Sequence, residues 1–309
     1  MNFKLLKRRF SIVWQQFRRD WRIFTRNRFA VLGVILISFF GILALVYPVL
    51  RATVFDYDMY NPLTGFDFRI AHPSKPSLEH LLGTDSLGHD ILSMLLAATA
   101  PTFVVGIAAA LTTACISTLL GVVSAYYAGT VDAIVVQVAD AFLLLPAPLF
   151  MVIMGMRLPD LRPLHLGIIY GLVAGLGGAT IVMRAQALQV VTRPFISAAQ
   201  IAGGSRLHII LVHVLPHMMP LAALQMMLAV TGAVVADGFI AFFGFNSSDL
   251  NWGMMIYSSF TYSSALGVDT EWHVLLPPAL ALSFFAAAFY FVSRGLHEVI
   301  DPRAREQSI

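Results

Sequence analysis

Phe29 to Leu50 is an unbroken run of 22 uncharged, mostly apolar residues. At 1.5 Å per residue a helix of that length crosses the roughly 30 Å hydrocarbon layer of a membrane. Such a segment must also satisfy its own backbone, which leaves the helix as the only single-segment solution. Five more apolar stretches follow, at about 98–127, 133–156, 164–189, 218–245 and 273–293. Charged residues make up 12% of the chain, against about 25% in soluble domains, and the mean hydropathy is +0.77. The expected fold class is an all-α membrane protein with six transmembrane helices. A signal peptide would have a shorter apolar core and a small-residue cleavage site, so the first span is expected to be retained.

Basic residues orient these spans. Lys4, Lys7, Arg8, Arg9, Arg18, Arg19, Arg22, Arg26 and Arg28 precede the first span, against one acid, Asp20. A tail like this suits nucleic acid, but a span follows at once, so it reads as a cytoplasmic anchor on anionic lipid, with no nucleic-acid partner. Placing it inside also puts Arg184, Arg193, Arg206, Arg294, Arg303 and Arg305 inside. Only Arg51, Arg69, Lys75, Arg157 and Arg162 fall outside. The imbalance satisfies the positive-inside rule and predicts cytoplasmic N- and C-termini. The link at 128–132 carries no basic residue and is oriented by its neighbours. The chain divides into a basic segment 1–28, a first span 29–50, an extracytoplasmic loop 51–96, a helical core 97–298 with a cytoplasmic loop 190–217, and a tail 299–309. Turn formers sit in the short links: Gly129 with Asp132, then Pro159-Asp160 with Pro163. Small residues crowd the spans, notably Gly167, Gly171 and Gly175 at intervals of four, which allows close helix approach within the chain or against a second one.

The loop from Arg193 to Pro220 has its own local signals. Pro194 suits a first helical turn, Phe195 to Ala202 are good helix formers, and Gly203-Gly204 end the helix. Ser205 can cap a second short helix, in which Leu207, Ile210, Leu211 and Val214 form an apolar stripe. Arg206, His208 and His213 lie off that stripe, and Pro216 is expected to break it. Two short helices around a double glycine make a knob suited to another protein's groove, or an amphipathic segment lying on lipid.

Chemistry-bearing residues are few. There is no phosphate-binding loop: none of Lys4, Lys7 and Lys75 follows a glycine, so nucleotide would have to be bound elsewhere. Two acids stand inside apolar spans, where each costs several kcal/mol unless solvated or paired. Asp140 precedes Pro146 and Pro148, whose kinks free carbonyls; Asp237 stands in VVADGFIAFFGF. Each either lines a water-filled path, meeting a solute's amino group, or ties helices together through a neighbour. Asp85, His89 and Asp90, and His208, His213 and His217, are weak metal candidates without a second cluster. The paired methionines 218–219, 226–227 and 254–255 fit core packing or an adaptable wall. Cys115 lies in an apolar run and reads as packing.

The residues of the loop add a resemblance. FISAAQIAGGSRLHIILVHVLP resembles the cytoplasmic loop of permease subunits of binding-protein-dependent ABC importers, with Ala198-Ala199, Gly203 and Val214-Leu215-Pro216 at matching places and Ser197 for the usual acid. LLGTDSLGHD resembles an external signature of the dipeptide, oligopeptide and nickel branch, through Gly83, Thr84, Asp85, Gly88 and Asp90, with His89 for the usual Arg. DGFIAFFG, Trp252-Gly253 and the ending RGLHEVIDPR match three further family patterns. The resemblance implies a type I importer permease fold in a bacterial inner membrane. It implies that Ala198, Ala199, Ala202, Gly203, Gly204, Arg206 and Leu207 couple to an ATPase. It also implies a second homologous permease, one or two ATPase subunits that bind ATP and Mg, and an extracytoplasmic solute-binding protein. The chain itself would hold no cofactor and catalyse nothing. Peptides or related small solutes such as nickel chelates are the implied cargo. A secondary transporter and an intramembrane enzyme using Asp140 and Asp237 are the alternatives.

Overall fold

A computed structural model describes residues 18, 21–158, 161–243, 250–266 and 272–300. The basic cluster Lys4 to Arg9, Arg19, Asp20, Pro159-Asp160, the outer end of the expected fifth span, Asp301 to Arg303, and Arg305 lie outside the described residues. Among those residues the regular elements are helices, with one isolated bridge between Thr84 and Asp90 in the irregular segment 61–90.

Helix α1, Arg28–Thr53, starts at Asn27, whose side chain accepts from the amides of Phe29 and Ala30. The same Asn27 donates to Glu298 at 2.6 Å, fastening the start of α1 to the end of the last helix. The short α2, Tyr57–Tyr60, lies in the outer loop. Helix α3, Ile91–Tyr127, has 37 residues, about 56 Å of helix. It begins seven residues before the apolar run at 98, because the Asp90 carboxylate caps it by accepting from the Ser93 amide.

The next two spans are each broken in the middle. Helices α4, Gly129–Leu143, and α5, Ala147–Arg157, meet at 77°, and α6, Pro163–Leu176, and α7, Gly178–Val191, at 47°. Pro146 caps α5 and has no N–H to continue α4. Gly177 makes the second break (φ −85°, ψ −122°). Helix α8, Pro194–Ile201, is followed by α9, Arg206–Ile209, which runs through a π-helical turn at Ile210–Val214 into α10, Leu215–Phe242. The expected break at Pro216 is therefore absent. The ring sits just after the widened turn, where the hydrogen-bond register has already shifted and a missing N–H costs little. Helix α11, Trp252–Leu266, was not foreseen as an element, and α12, Trp272–Ile300, closes the described chain. Four helices are long and apolar enough to cross a membrane, or up to six spans if each bent pair counts as one.

Packing centres on α3. The glycines 167, 171 and 175 of α6 lie against it: a β-carbon at 171 would come within 2.8 Å of the Ala109 carbonyl, and one at 175 within 3.2 Å of Ile116. The small-residue ladder thus serves the bundle of this chain. At the other end of α3, Phe40, Trp252 and Phe285 interlock with ring centroids 5.3–5.5 Å apart. The Trp252 indole donates to the Leu95 carbonyl at 3.1 Å.

Candidate functional site

The knob around Gly203-Gly204 is built by local rules. Helix α8 ends in a Schellman turn: the Gly203 amide donates to the Gln200 carbonyl and the Gly204 amide to the Ala199 carbonyl, both at 3.0 Å. Gly203 carries the required positive φ, 81°, with open space around it, whereas a β-carbon on Gly204 would press on the Ala199 carbonyl at 2.9 Å. Ser205 then caps α9, its hydroxyl accepting from the His208 amide at 3.3 Å. Half of the stripe read from spacing packs: Ile210 and Val214 are buried, and Leu207 and Leu211 are not. Ile196, Ile209, Ile210, Val214 and Met218 are buried against Val122 and Ala125 of α3 and Met183, Ala187 and Val190 of α7. Leu207 and Leu211 are exposed, as is Ile201, which is 88% exposed at the tip. The physical reason is that each short helix presents its buried edge to α3 and α7, one position away from the edge with the longest apolar run. Ala198 and Ala202 are exposed, Ala199 is half-buried, and the Arg206 guanidinium lies 5.7 Å from the Tyr127 ring at the end of α3. The histidines are spent locally: His217 bonds the His213 carbonyl at 2.8 Å and stacks on Phe195, while His208 meets His213 edge to face.

Beside the knob, α3, α4 and α7 are joined by charge. Arg184 donates to both Asp132 oxygens, at 2.5 and 2.6 Å, and Ser124 donates to the same carboxylate. The pair links residues 52 apart in sequence, so no local pattern announced it.

The external signature forms a tight turn leading into α3. Gly83 and Gly88 both have positive φ, 82° and 91°. One Asp85 oxygen accepts from the amides of Leu87 and His89, and the other meets the His89 ring at 3.1 Å. Histidine thus makes an acid–base contact at this position. Burial works against charging the His89 ring, but the Asp85 hydrogen bond and charge outweigh it and raise its pKa above 6.5. Thr84 is tied to His72 and Ser74. Asp90, besides capping α3, accepts from or shares a proton with the fully buried His80 at 2.9 Å, while the other His80 nitrogen faces Asp67 at 3.5 Å. Burial raises the Asp90 pKa, and the Ser93 amide and His80 oppose it. Among the described residues no three His, Cys, Asp or Glu side chains are grouped to hold a metal ion.

The two acids of the spans differ. Asp237 of α10 is buried, and one oxygen accepts from Asn251 at 3.1 Å. Asn251 in turn caps α11 by accepting from the Met254 amide at 2.8 Å. Asp237 therefore holds α11 against α10 at a place where Gly253 and Gly238 touch backbone to backbone. Asp140 of α4 is exposed on the surface of the chain. The two carboxylates are not brought together as a catalytic pair.

A family profile described as "Binding-protein-dependent transport system inner membrane component" matches residues 117–306. The chain is 28% identical over 297 residues to the oligopeptide transport system permease protein OppC of Haemophilus influenzae, covering 95% of this chain and 89% of that protein. It is 27% identical over 291 residues to the dipeptide transport system permease protein DppC of Bacillus subtilis, covering 92% and 85%. The Mycobacterium bovis protein named OppC is 26% identical over 288 residues, covering 92% and 94%.

Proposed function

We infer the function from one premise: this chain belongs to the family of binding-protein-dependent transport system inner membrane components. It is a multi-pass transport subunit of a bacterial inner membrane. We assign it one half of the translocation pathway of an ATP-driven importer, with di- and oligopeptides or related small solutes as cargo, following the names of its relatives. Six spans, counting each bent pair once, cytoplasmic termini and a type I importer permease arrangement complete this reading. The subunit catalyses nothing itself. Its partners are a second, homologous permease, one or two ATPase subunits that bind ATP and Mg, and an external solute-binding protein.

The observation that carries the reading is the knob. Ile201 and Leu207 project from its tip without cover from this chain, while Ile196, Ile209 and Ile210 root it in α3, α7 and α10. A part exposed at one end and packed at the other can pass movement from an ATPase to the spans. Residues Ala198, Ala199, Ala202, Gly203, Gly204, Arg206 and Leu207 form that contact. ATP-driven closure of the ATPases would tilt the spans outward to accept solute, and hydrolysis would reset them inward; each state must be favoured by a ligand that binds it better. The interrupted spans would suit a secondary transporter too, and energy coupling separates the two. Vesicles containing the purified complex should take up peptide only with the binding protein outside and ATP at the ATPases. Uptake that persists without ATP would decide for the secondary transporter.

A further inference from the structure

We propose that one face of α4, ending at Asp140, is a station for a cationic group of the solute, an ammonium or guanidinium, on its way through the membrane. The inference rests on the transport reading and adds a ligand chemistry to it.

Helix α4 exposes two stripes. At 100° per residue, Thr130, Gln137 and Asp140 fall within about 80° of one another, and all three are exposed. Ile134 and Val138 form the neighbouring stripe and are exposed as well, by 62% and 39%. Its opposite side carries the buried Ala139 and the Asp132 that pairs with Arg184. An apolar stripe suits lipid. A carboxylate and an amide in the same position would cost several kcal/mol, so the polar stripe faces water or polar groups.

Depth and backbone agree with a station. Asp140 lies inside the apolar run 133–156, seven residues from its start, or about 10 Å along the helix axis. Three residues later the helix ends at the 77° break, and Pro146 offers no N–H to its last carbonyls. The negative end of the α4 dipole is thus left beside Asp140. The break of the other bent span lies against it: a β-carbon at Gly177 would be 3.2 Å from the Leu143 nitrogen. At these breaks the carbonyl end of α4 lies near the amino-terminal ends of α5 and α7, which carry partial positive charge, so the preference for a cation rests on the full negative charge of Asp140.

The test uses charge-selective labelling, which does not depend on knowing the cargo. Cys115 is the one cysteine and is replaced by serine. In that background Gln137→Cys is made, and the complex with its partner subunits is reconstituted and exposed during ATP turnover to a cationic or an anionic methanethiosulfonate. Rates are normalised to those with a small free thiol. With Asp140 in place the cationic reagent should react about tenfold faster than the anionic one, and Asp140→Asn should bring the ratio towards one. Ile134→Cys, on the lipid stripe, should react with neither. Equal rates at position 137, or a cysteine there that is closed to both reagents, overturn the proposal; Ala141→Cys, exposed and one turn on from position 137, gives the same reading if the 137 variant does not assemble. Loss of ATP dependence in uptake would instead sink the ATP-driven importer reading while leaving the labelling ratio as measured.

Discussion

The double glycine of the knob allows a quantitative test of coupling. At φ 81° a residue with a β-carbon costs about 1–2 kcal/mol relative to glycine, and a β-branched one lies at the upper end. The turn is held by two hydrogen bonds, from the Gly203 and Gly204 amides, each worth about 1 kcal/mol net. Gly203→Val therefore sets a penalty against the turn as large as what holds it. At 1.36 kcal/mol per tenfold change, the native turn loses about ten- to thirtyfold in population relative to open forms. The packing of Ile196, Ile209 and Ile210 is untouched, because the space around Gly203 is empty. The complex should assemble normally, hydrolyse ATP, and import several-fold less solute per ATP. Gly203→Asn is the control, since asparagine tolerates this backbone region and should keep most coupling. Paired assays of hydrolysis and uptake in reconstituted vesicles read the ratio directly. Wild-type uptake per ATP in Gly203→Val, or an asparagine variant as defective as the valine one, would refute the reasoning.

Gly171→Leu should prevent normal closure of α6 on α3, because even a β-carbon there meets the Thr112 side chain at 2.6 Å; overpacking of about 3 kcal/mol should appear as a lowered melting temperature in detergent. Arg184→Ala leaves the Asp132 carboxylate without its bidentate partner; the pair is about a quarter exposed, so the loss should be about 1–2 kcal/mol, and adding Asp132→Asn should recover part of it in a melting cycle. The His89 and Asp90 pKa values are both raised in the folded outer loop, so each group binds its proton more tightly folded than unfolded. For His89 the stabilisation is full below its ordinary 6.5 and fades as pH rises through the folded value. Proteolysis of the outer loop should accordingly quicken above neutrality, and His89→Gln should flatten that dependence.

The spans were legible because a run of uncharged residues has few ways to exist in lipid, and Phe29 to Leu50 left no choice. Their interruptions were less so. Pro146 reads equally as a kink in a continuous span, and Gly177 as one more small residue, until the facing helix is known. Helix α11 escaped because Tyr257, Ser258, Ser259 and Tyr262 dilute its apolar character. The knob was readable down to its Ser205 cap and glycine stop, since capping is decided within a few residues. Which edge packs was not: periodicity makes a stripe with Leu207 and Leu211, but the neighbours in space select Ile209 and Met218. The two acids show the same limit. Whether Asp237 ties helices depends on Asn251, 14 residues away, and whether Asp140 is covered depends on helices that no local pattern brings near.

The π turn after Ile209 has a mechanical meaning. From Arg206 to Phe242 the chain is a single helix of 37 residues, with Arg206 at the knob and the Asp237 latch near the far end. A lever of this kind has a stroke set by its length and pivot, so a displacement at the knob reappears at the Asp237–Asn251 contact without waiting for a loop to tighten. The widened turn at Ile210–Val214, with Pro216 and Pro220 just beyond it, is where that arm can flex, and its stiffness would set the gearing between fuel and cargo.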